Sequence, residues 1–148
     1  MKKTLLFAVL IAAMAFSACR TQGPAVTPQN PVEEALLSIY ERFMGDLILT
    51  GARRHTVQSG ETLVAIARTH YADGFMYPLI LLASSNVVLD PDRIAPGMEL
   101  TIPNLQRNLD SPRARENIRN FMLEIADFED GRNRRDTAAG IRARANDL

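Results

Sequence analysis

The sequence of 148 residues contains one cysteine and no tryptophan, and aromatic side chains make up 6% of it. With a single cysteine, no internal disulfide can form. The sequence contains no His-Glu-x-x-His, no Gly-x-Ser-x-Gly and no phosphate-cradling glycine loop. Its charge is balanced, with 17 basic and 17 acidic residues, so no basic patch favours a nucleic-acid partner. These absences argue against an enzyme, a cofactor or metal site and a nucleic-acid-binding protein.

The first 18 residues have the layout of a secretory signal peptide. Lys2 and Lys3 precede an apolar run from residue 5 to residue 16, and small residues precede Cys19. The apolar run is too short to span a bilayer comfortably. If residues 1–18 are removed, the remaining chain has a net charge of about −2, because two lysines and no acidic residue are lost.

The position of the cysteine indicates what kind of signal this is. Cys19 directly follows Phe16-Ser17-Ala18, which resembles a bacterial lipobox, although Phe16 stands where leucine is usual. The resemblance implies a lipoprotein whose acylated Cys19 anchors it to a bacterial membrane on the periplasmic side. Arg20 in place of aspartate after the cysteine implies the outer membrane. A soluble exported protein with a free thiol in its signal region remains the alternative.

The segments on either side of residues 55–103 predict a tether and three helices. Residues 19–30 are rich in glycine and proline and predict a flexible tether. Residues 31–50 predict an amphipathic helix with Asn30 as its N-cap and Pro31 at its first position. Its apolar stripe is expected to pack against the rest of the protein, or else to dock a partner protein. Residues 110–148 predict a C-terminal helical hairpin that turns near Gly131.

Between these segments, residues 55–103 predict a β-α-α-β order. Alternating residues from His55 meet a Ser-Gly corner and pass into a helical pattern that begins at Leu63. Tyr77 to Ser85 predicts a second helix, in which Pro78 takes an early position where its missing N–H is harmless. Residues 99–102 alternate as a second strand, and Pro103 ends it.

This segment resembles a LysM domain. The run HTVQSGETLVAIA is similar to the family's first strand, loop and helix, and NVVLDPDRIAPGMELTIP is similar to its second loop and closing strand. The stretch of residues 70–76 is longer and more aromatic than the turn that usually joins the two helices in this family. We therefore expect an α+β fold, in which a LysM module at residues 54–104 forms a two-stranded antiparallel sheet. An N-terminal helix and a C-terminal helical hairpin flank it.

The resemblance also implies where a glycan would bind. It places contacts on two loops that lie side by side: Ser59, Gly60, Glu61, Thr62 and Leu63 in the first, and Asn86, Val87, Val88, Asp90, Pro91 and Ile94 in the second. Loop backbone and aliphatic side chains there can receive the acetamide groups of an N-acetylhexosamine polymer. Tyr71, Phe75 and Tyr77 are expected to pack over the lengthened turn or to extend this groove. Carboxylates on both loops could form a hydrolytic pair, but turn and capping roles account for them.

We therefore interpret the sequence as a non-catalytic cell-envelope lipoprotein that binds peptidoglycan or a related N-acetylglucosamine-containing glycan. An alternative hypothesis is an adaptor whose flanking helices dock an envelope protein such as a cell-wall hydrolase. Ion or small-ligand sensing is a third and weaker interpretation, because similar LysM modules with a long turn can accompany another domain with that role.

Overall fold

The computed structural model describes residues 26–148. The predicted signal peptide (residues 1–18), Cys19 and the first part of the predicted tether lie outside the described residues. The α-helices are α1 (Pro31–Phe43), α2 (Leu63–Tyr71), α3 (Tyr77–Ala83), α4 (Leu105–Asp110), α5 (Pro112–Gly131) and α6 (Arg135–Asn146); the strands are β1 (Arg53–Thr56) and β2 (Glu99–Ile102). Short 3-10 helices occupy Met44–Asp46, Gly74–Met76 and Pro91–Arg93. Within this part of the chain, no helix has the length and apolar character needed to cross a membrane.

Helix α1 begins where its capping pattern predicts. The Asn30 side-chain oxygen accepts the N–H of Glu33 at 3.0 Å, and Glu33 Oε2 accepts the N–H of Gln29 at 2.6 Å. The first bond satisfies an N–H group that the helix itself leaves free, and the second ties the residue before the N-cap to the helix. Val26 packs against the core, and the Gln29 side chain accepts a hydrogen bond from Arg93. The last residues of the predicted tether are therefore docked on the domain.

The same helix ends earlier than predicted, at Phe43 and not at residue 50, so the predicted range is corrected. Buried Asn108 accounts for the difference: its Oδ1 accepts the N–H of Ile48, and its Nδ2 donates to the Ile48 carbonyl, both at 2.9 Å. The backbone of Ile48 is thus bonded to a side chain 60 positions away instead of to its own helix. Apolar spacing alone cannot reveal such a distant partner.

The strands and the next two helices have the predicted β-α-α-β order. β1 and β2 pair antiparallel, with His55 opposite Leu100. At the corner after β1, Gly60 has φ +83°, a left-handed conformation that favours glycine. Thr62 then caps α2, because its hydroxyl accepts the N–H of Ala65 at 3.2 Å. The predicted α+β class, with a two-stranded antiparallel sheet and flanking helices, is confirmed.

Helix α3 joins this module to the rest of the chain. All seven of its residues are buried, and it contacts α2, β2 and α5. A helix that is apolar on every side needs neighbours on every side. Residues of α1, the β-α-α-β module and the C-terminal helices accordingly belong to one hydrophobic core.

The C-terminal hairpin consists of α5 and α6, which pack along each other as predicted. Phe121 of α5 lies fully buried against the rings of Tyr40 and Phe43, with centroid distances of 6.0 and 5.6 Å. The apolar face of α1 is therefore covered by α5. Helix α4 is absent from the sequence-based prediction; Asn104 caps it by accepting the N–H of Arg107 at 3.0 Å.

Candidate functional site

The two corners of the module open onto one cavity of about 350 Å³, which we call the groove. The first loop, the starts of α2 and α3, the loop before β2 and the C-terminal hairpin all contribute to its lining: Glu61, Thr62, Leu63, Val64, Tyr77, Pro91, Asp92, Ile94, Arg134 and Thr137. Its volume is at the lower end of the roughly 300–1,000 Å³ that ligand pockets span. Hydroxyl, carboxylate and guanidinium groups here stand next to aliphatic side chains, a mixture suited to a polar ligand that also carries methyl groups.

The first loop of the groove, residues 58–63, is held by a single carboxylate. Glu61 Oε2 accepts the N–H of Gln58 and a hydrogen bond from His55 Nε2, each at 2.8 Å. The Gln58 N–H first, and His55 second, lower the pKa of the Glu61 carboxyl. A general acid needs the opposite shift, because it must hold a proton near neutral pH. The lowered pKa favours the ionised Glu61, the form that accepts both hydrogen bonds and stabilises the loop.

The two histidines of the chain, His55 and His70, form a hydrogen-bonded series with Glu61. His70 Nε2 lies 3.2 Å from His55 Nδ1, and the two rings meet edge to face. One proton arrangement satisfies the whole series: His70 donates to His55, and His55 donates to Glu61. Burial, followed by the nearby His55 and Arg53, lowers the pKa of His70. Neutral His70 is thus the form that the folded protein favours.

The second loop of the groove, residues 84–94, is held by contacts from distant elements. The Tyr40 hydroxyl of α1 donates to the Leu89 carbonyl at 2.7 Å. Arg93 donates to the buried Glu33 of α1 at 2.6 Å. Within the loop, Asp90 Oδ1 accepts the N–H of Asp92 at 3.0 Å and starts the short 3-10 helix. Burial raises the pKa of the Tyr40 phenol, which keeps that hydroxyl as a donor.

The turn of the C-terminal hairpin also contacts the second loop. Arg132 Nη2 donates to Asp92 Oδ2 at 2.8 Å, and Arg134 donates to both oxygens of the same carboxylate. Arg134, and then Arg132, lower the pKa of Asp92. Behind them, Glu129 is 1% exposed and lies 3.5 Å from Arg134 Nη1. A network of two arginines and a loop carboxylate therefore joins the hairpin to the groove.

Burial also shifts the pKa values of two side chains in or beside this network, Glu129 and Tyr77. It raises the pKa of Glu129, against the opposing influence of the two arginines. Tyr77, whose hydroxyl lies 3.3 Å from Glu129 Oε1, also has a raised pKa because it is buried. Tyr77 therefore stays neutral, and it lines the groove with a ring that is 3% exposed.

The structure distributes the predicted contact residues over three settings. Five line the groove: Glu61, Thr62, Leu63, Pro91 and Ile94. Ser59, Gly60 and Asn86 are exposed and Val87 is half-buried, and none of the four belongs to the lining. Val88 and Asp90 are 4% and 7% exposed, so their side chains support the second loop from inside.

Sequence reasoning missed part of the lining. Arg134 and Thr137 belong to the predicted C-terminal hairpin, and the sequence did not place them in the groove, because their role depends on how the hairpin docks. The aromatic residues of the lengthened turn mostly pack: the Tyr71 hydroxyl donates to the Pro103 carbonyl at 3.0 Å, and the Phe75 ring lies against Gly140 of α6. Tyr77 is the member of that group that reaches the groove.

A second cavity, of about 510 Å³, lies at the other end of α2. Residues around the carboxyl end of α2 and the start of α4 line it, among them Arg53, His70, Tyr71, Asn104 and Gln106. None of the predicted glycan contacts belongs to this lining. Among residues 26–148, no group of three or more histidine, cysteine or acidic side chains is arranged to hold a metal ion.

Comparison with known proteins identifies the module. Residues 55–103 match the family model described as LysM domain, so this part of the chain is a LysM domain. The chain is 39% identical over 54 residues to the potassium binding protein Kbp of Escherichia coli O6:H1. That alignment covers 36% of this chain and 36% of the relative, so about a third of the relative's length is matched. No solved structure matches the chain.

Proposed function

We propose that the protein is a non-catalytic lipoprotein of the bacterial cell envelope that binds peptidoglycan through its LysM groove. The LysM domain supports binding of a peptidoglycan-type N-acetylglucosamine glycan. The observation that carries the proposal is that both loops of this domain open onto one shared cavity. A groove between two loops can receive a segment of polymer from its open side.

The chemistry of the lining supports an N-acetylated sugar. An acetamide group needs a hydrogen-bond donor for its carbonyl, an acceptor for its N–H and an apolar surface for its methyl group. The Thr62 hydroxyl and the loop backbone offer polar partners, while half-buried Ile94 and Val64 offer aliphatic surface. With no tryptophan in the chain, binding depends on these contacts more than on ring stacking.

With a lipid anchor at Cys19, a low affinity of the groove for glycan would be sufficient, because tethering raises the effective concentration of the site at the wall. Val26 is docked on the core, so seven residue steps at ~3.5 Å each limit the span from Cys19 to about 25 Å. This is shorter than a tether that runs freely to residue 30. Mass spectrometry of the mature N-terminus tests the anchor, and a mass without acyl chains would refute it.

The adaptor hypothesis receives less support. The apolar face of α1, which was its main candidate surface, is packed against α5 through fully buried Leu36 and Tyr40. The potassium binding recorded in the relative's name belongs to a protein matched over a third of its length. Binding assays with and without potassium show whether the ion affects this chain.

The glycan proposal is tested by co-sedimentation of the chain from residue 20 onward with insoluble peptidoglycan. Ile94→Ala removes aliphatic surface from the groove and should weaken binding about tenfold. Leu105→Ala is the matched control, because Leu105 is a half-buried aliphatic residue that lines the second cavity. An unsubstituted chain that stays in the supernatant would refute the proposal. An equal loss of binding in both variants would mean that the glycan does not bind in the groove.

A further inference from the structure

One wall of the groove comes from outside the LysM domain. The domain match ends at residue 103, yet Arg134 and Thr137 line the same cavity as the two LysM loops. Arg134 directly precedes α6, and Thr137 lies in the first turn of that helix. The C-terminal hairpin is therefore part of the groove's geometry and not only a neighbour of the domain.

Two acidic groups hold Arg134 in place. Its Nη1 donates to Asp92 Oδ1 at 2.9 Å, and its Nη2 donates to the other oxygen of that carboxylate. The same Nη1 lies 3.5 Å from Oε2 of Glu129 of α5, which is almost fully buried. A two-pronged guanidinium–carboxylate pair fixes both distance and orientation. Through Arg134, the hairpin therefore sets where the tip of the second loop stands.

Thr137 has a different relation to the groove. It is half-buried on α6 and lines the cavity. Its hydroxyl can donate one hydrogen bond and accept two, as sugar hydroxyl and acetamide groups require. Helix α6 is a rigid support for such a contact, since its residues Ala138, Ile141 and Ala145 are buried in the protein.

We propose that the C-terminal hairpin forms a third wall of the glycan site, in which Thr137 hydrogen-bonds the bound sugar and Arg134 positions the second loop through Asp92. This inference rests on the proposed glycan function. It extends the site to a part of the chain that the LysM resemblance does not reach. The ligand class is a polymer of N-acetylated hexosamines, whose polar groups would meet all three walls.

The direct contact is tested by calorimetric titration of the chain from residue 20 onward with a tetramer of N-acetylglucosamine. Thr137→Val keeps the shape of the side chain and removes the hydroxyl, so affinity should fall about threefold to tenfold, the loss expected for one hydrogen bond. Thr69→Val is the matched control on the exposed surface of α2. Equal affinities of the Thr137→Val and Thr69→Val variants would overturn the contact while leaving the glycan function intact. If the unsubstituted chain does not bind, the proposed function itself fails.

The positioning role is tested by a double-mutant cycle. Arg134→Gln should weaken tetramer binding about fivefold, and Asp92→Asn at least as much, because it also removes the bond from Arg132. The double variant should be no weaker than Asp92→Asn alone, because that change already removes the Arg134 link. Arg134→Lys should recover part of the loss, since lysine can restore one ion pair but not the two-pronged geometry. Arg135→Gln, at the exposed neighbouring position, is the control. Fully additive losses, or a loss in the Arg135 control equal to that of Arg134→Gln, would overturn the role.

Discussion

The two loops that border the groove are stabilised in different ways. In the first loop, the main contacts come from nearby residues of the LysM domain: Glu61 binds Gln58 and His55, and Thr62 caps the helix that follows. In the second loop, the contacts come from elements outside the domain. These are Glu33 and Tyr40 of α1, and Arg132 and Arg134 of the C-terminal hairpin.

This difference shows that the shape of the groove depends on the whole described chain. A local hydrogen-bond set can form within a short segment, but an ion pair across about forty residues requires the flanking helices to be folded and docked. We therefore expect changes in α1 or the hairpin to alter the second loop first, while the first loop responds to changes within the domain.

The largest effect is expected from removing the flanking helices altogether. A chain of residues 53–104 would expose the side of α3 that packs against α5, and a helix that is apolar on every side would then face water. We predict that this fragment lacks a cooperative thermal transition by circular dichroism, whereas residues 26–148 show one. A cooperative transition of the isolated fragment would mean that the second loop does not depend on the flanking helices.

A smaller effect is expected from the side chain that links α1 to the second loop. Tyr40→Ala removes a fully buried ring that contacts Phe121, so it should lower the free energy of unfolding by about 3–5 kcal/mol. Tyr40→Phe removes the hydroxyl that bonds Leu89 and should lower it by about 1 kcal/mol. Urea unfolding of both variants measures the two values. If Tyr40→Phe had as large an effect as Tyr40→Ala, ring packing would not be the main contribution of Tyr40.

The corresponding test of the first loop is a substitution of its glycine. Gly60 has φ +83°, and an added Cβ would meet nothing within 4 Å, so Gly60→Ala introduces backbone strain without a clash. We predict a loss of about 1–2 kcal/mol in the free energy of unfolding. Gly45→Ala is the control, since it also has open space around it and no left-handed backbone; we expect a change within about 0.5 kcal/mol. Equal values from urea unfolding would mean that the corner tolerates a side chain.

The smallest effect on stability is expected from lowering the pH. Because the folded protein lowers the pKa of His70, the unfolded chain binds this proton at a higher pH than the folded chain does. Stability should therefore fall as the pH drops below the ordinary histidine value of about 6.5. His55, Arg53 and Glu61 face His70, and the lowered pKa of Glu61 adds a further loss only at more acidic pH.

This dependence is measured by urea unfolding at several pH values between 7.5 and 5. His70→Gln keeps a side chain that can hydrogen-bond but does not titrate, so its stability should change less over this interval. A variant with the same slope as the unsubstituted chain would show that other groups cause the loss.

The sequence predicted those features that depend on neighbouring residues. The Gly60 corner, the Asn30 cap and the β-α-α-β order follow from local patterns, and the two-stranded sheet and the position of the LysM domain follow from the family resemblance. Each is decided within a few residues or by the family pattern itself, which is why one chain suffices to predict it.

The features that the sequence did not predict depend on distant partners. Helix α1 ends at Phe43 because Asn108 binds the backbone of Ile48. Arg132 and Arg134 belong to the predicted C-terminal hairpin, whose docking the sequence did not predict, yet both donate to Asp92 of the second loop. Alternating charges along a helix look the same in a sequence whether they face water or a carboxylate on another element.

The most direct test of the three-walled groove is an NMR titration of residues 26–148 with a tetramer of N-acetylglucosamine. Our account predicts that backbone amide shifts change together in residues 59–64, 91–94 and 134–137. Shifts confined to the second cavity, around Ala72 and Asn104, or no shifts at saturating tetramer, would contradict it.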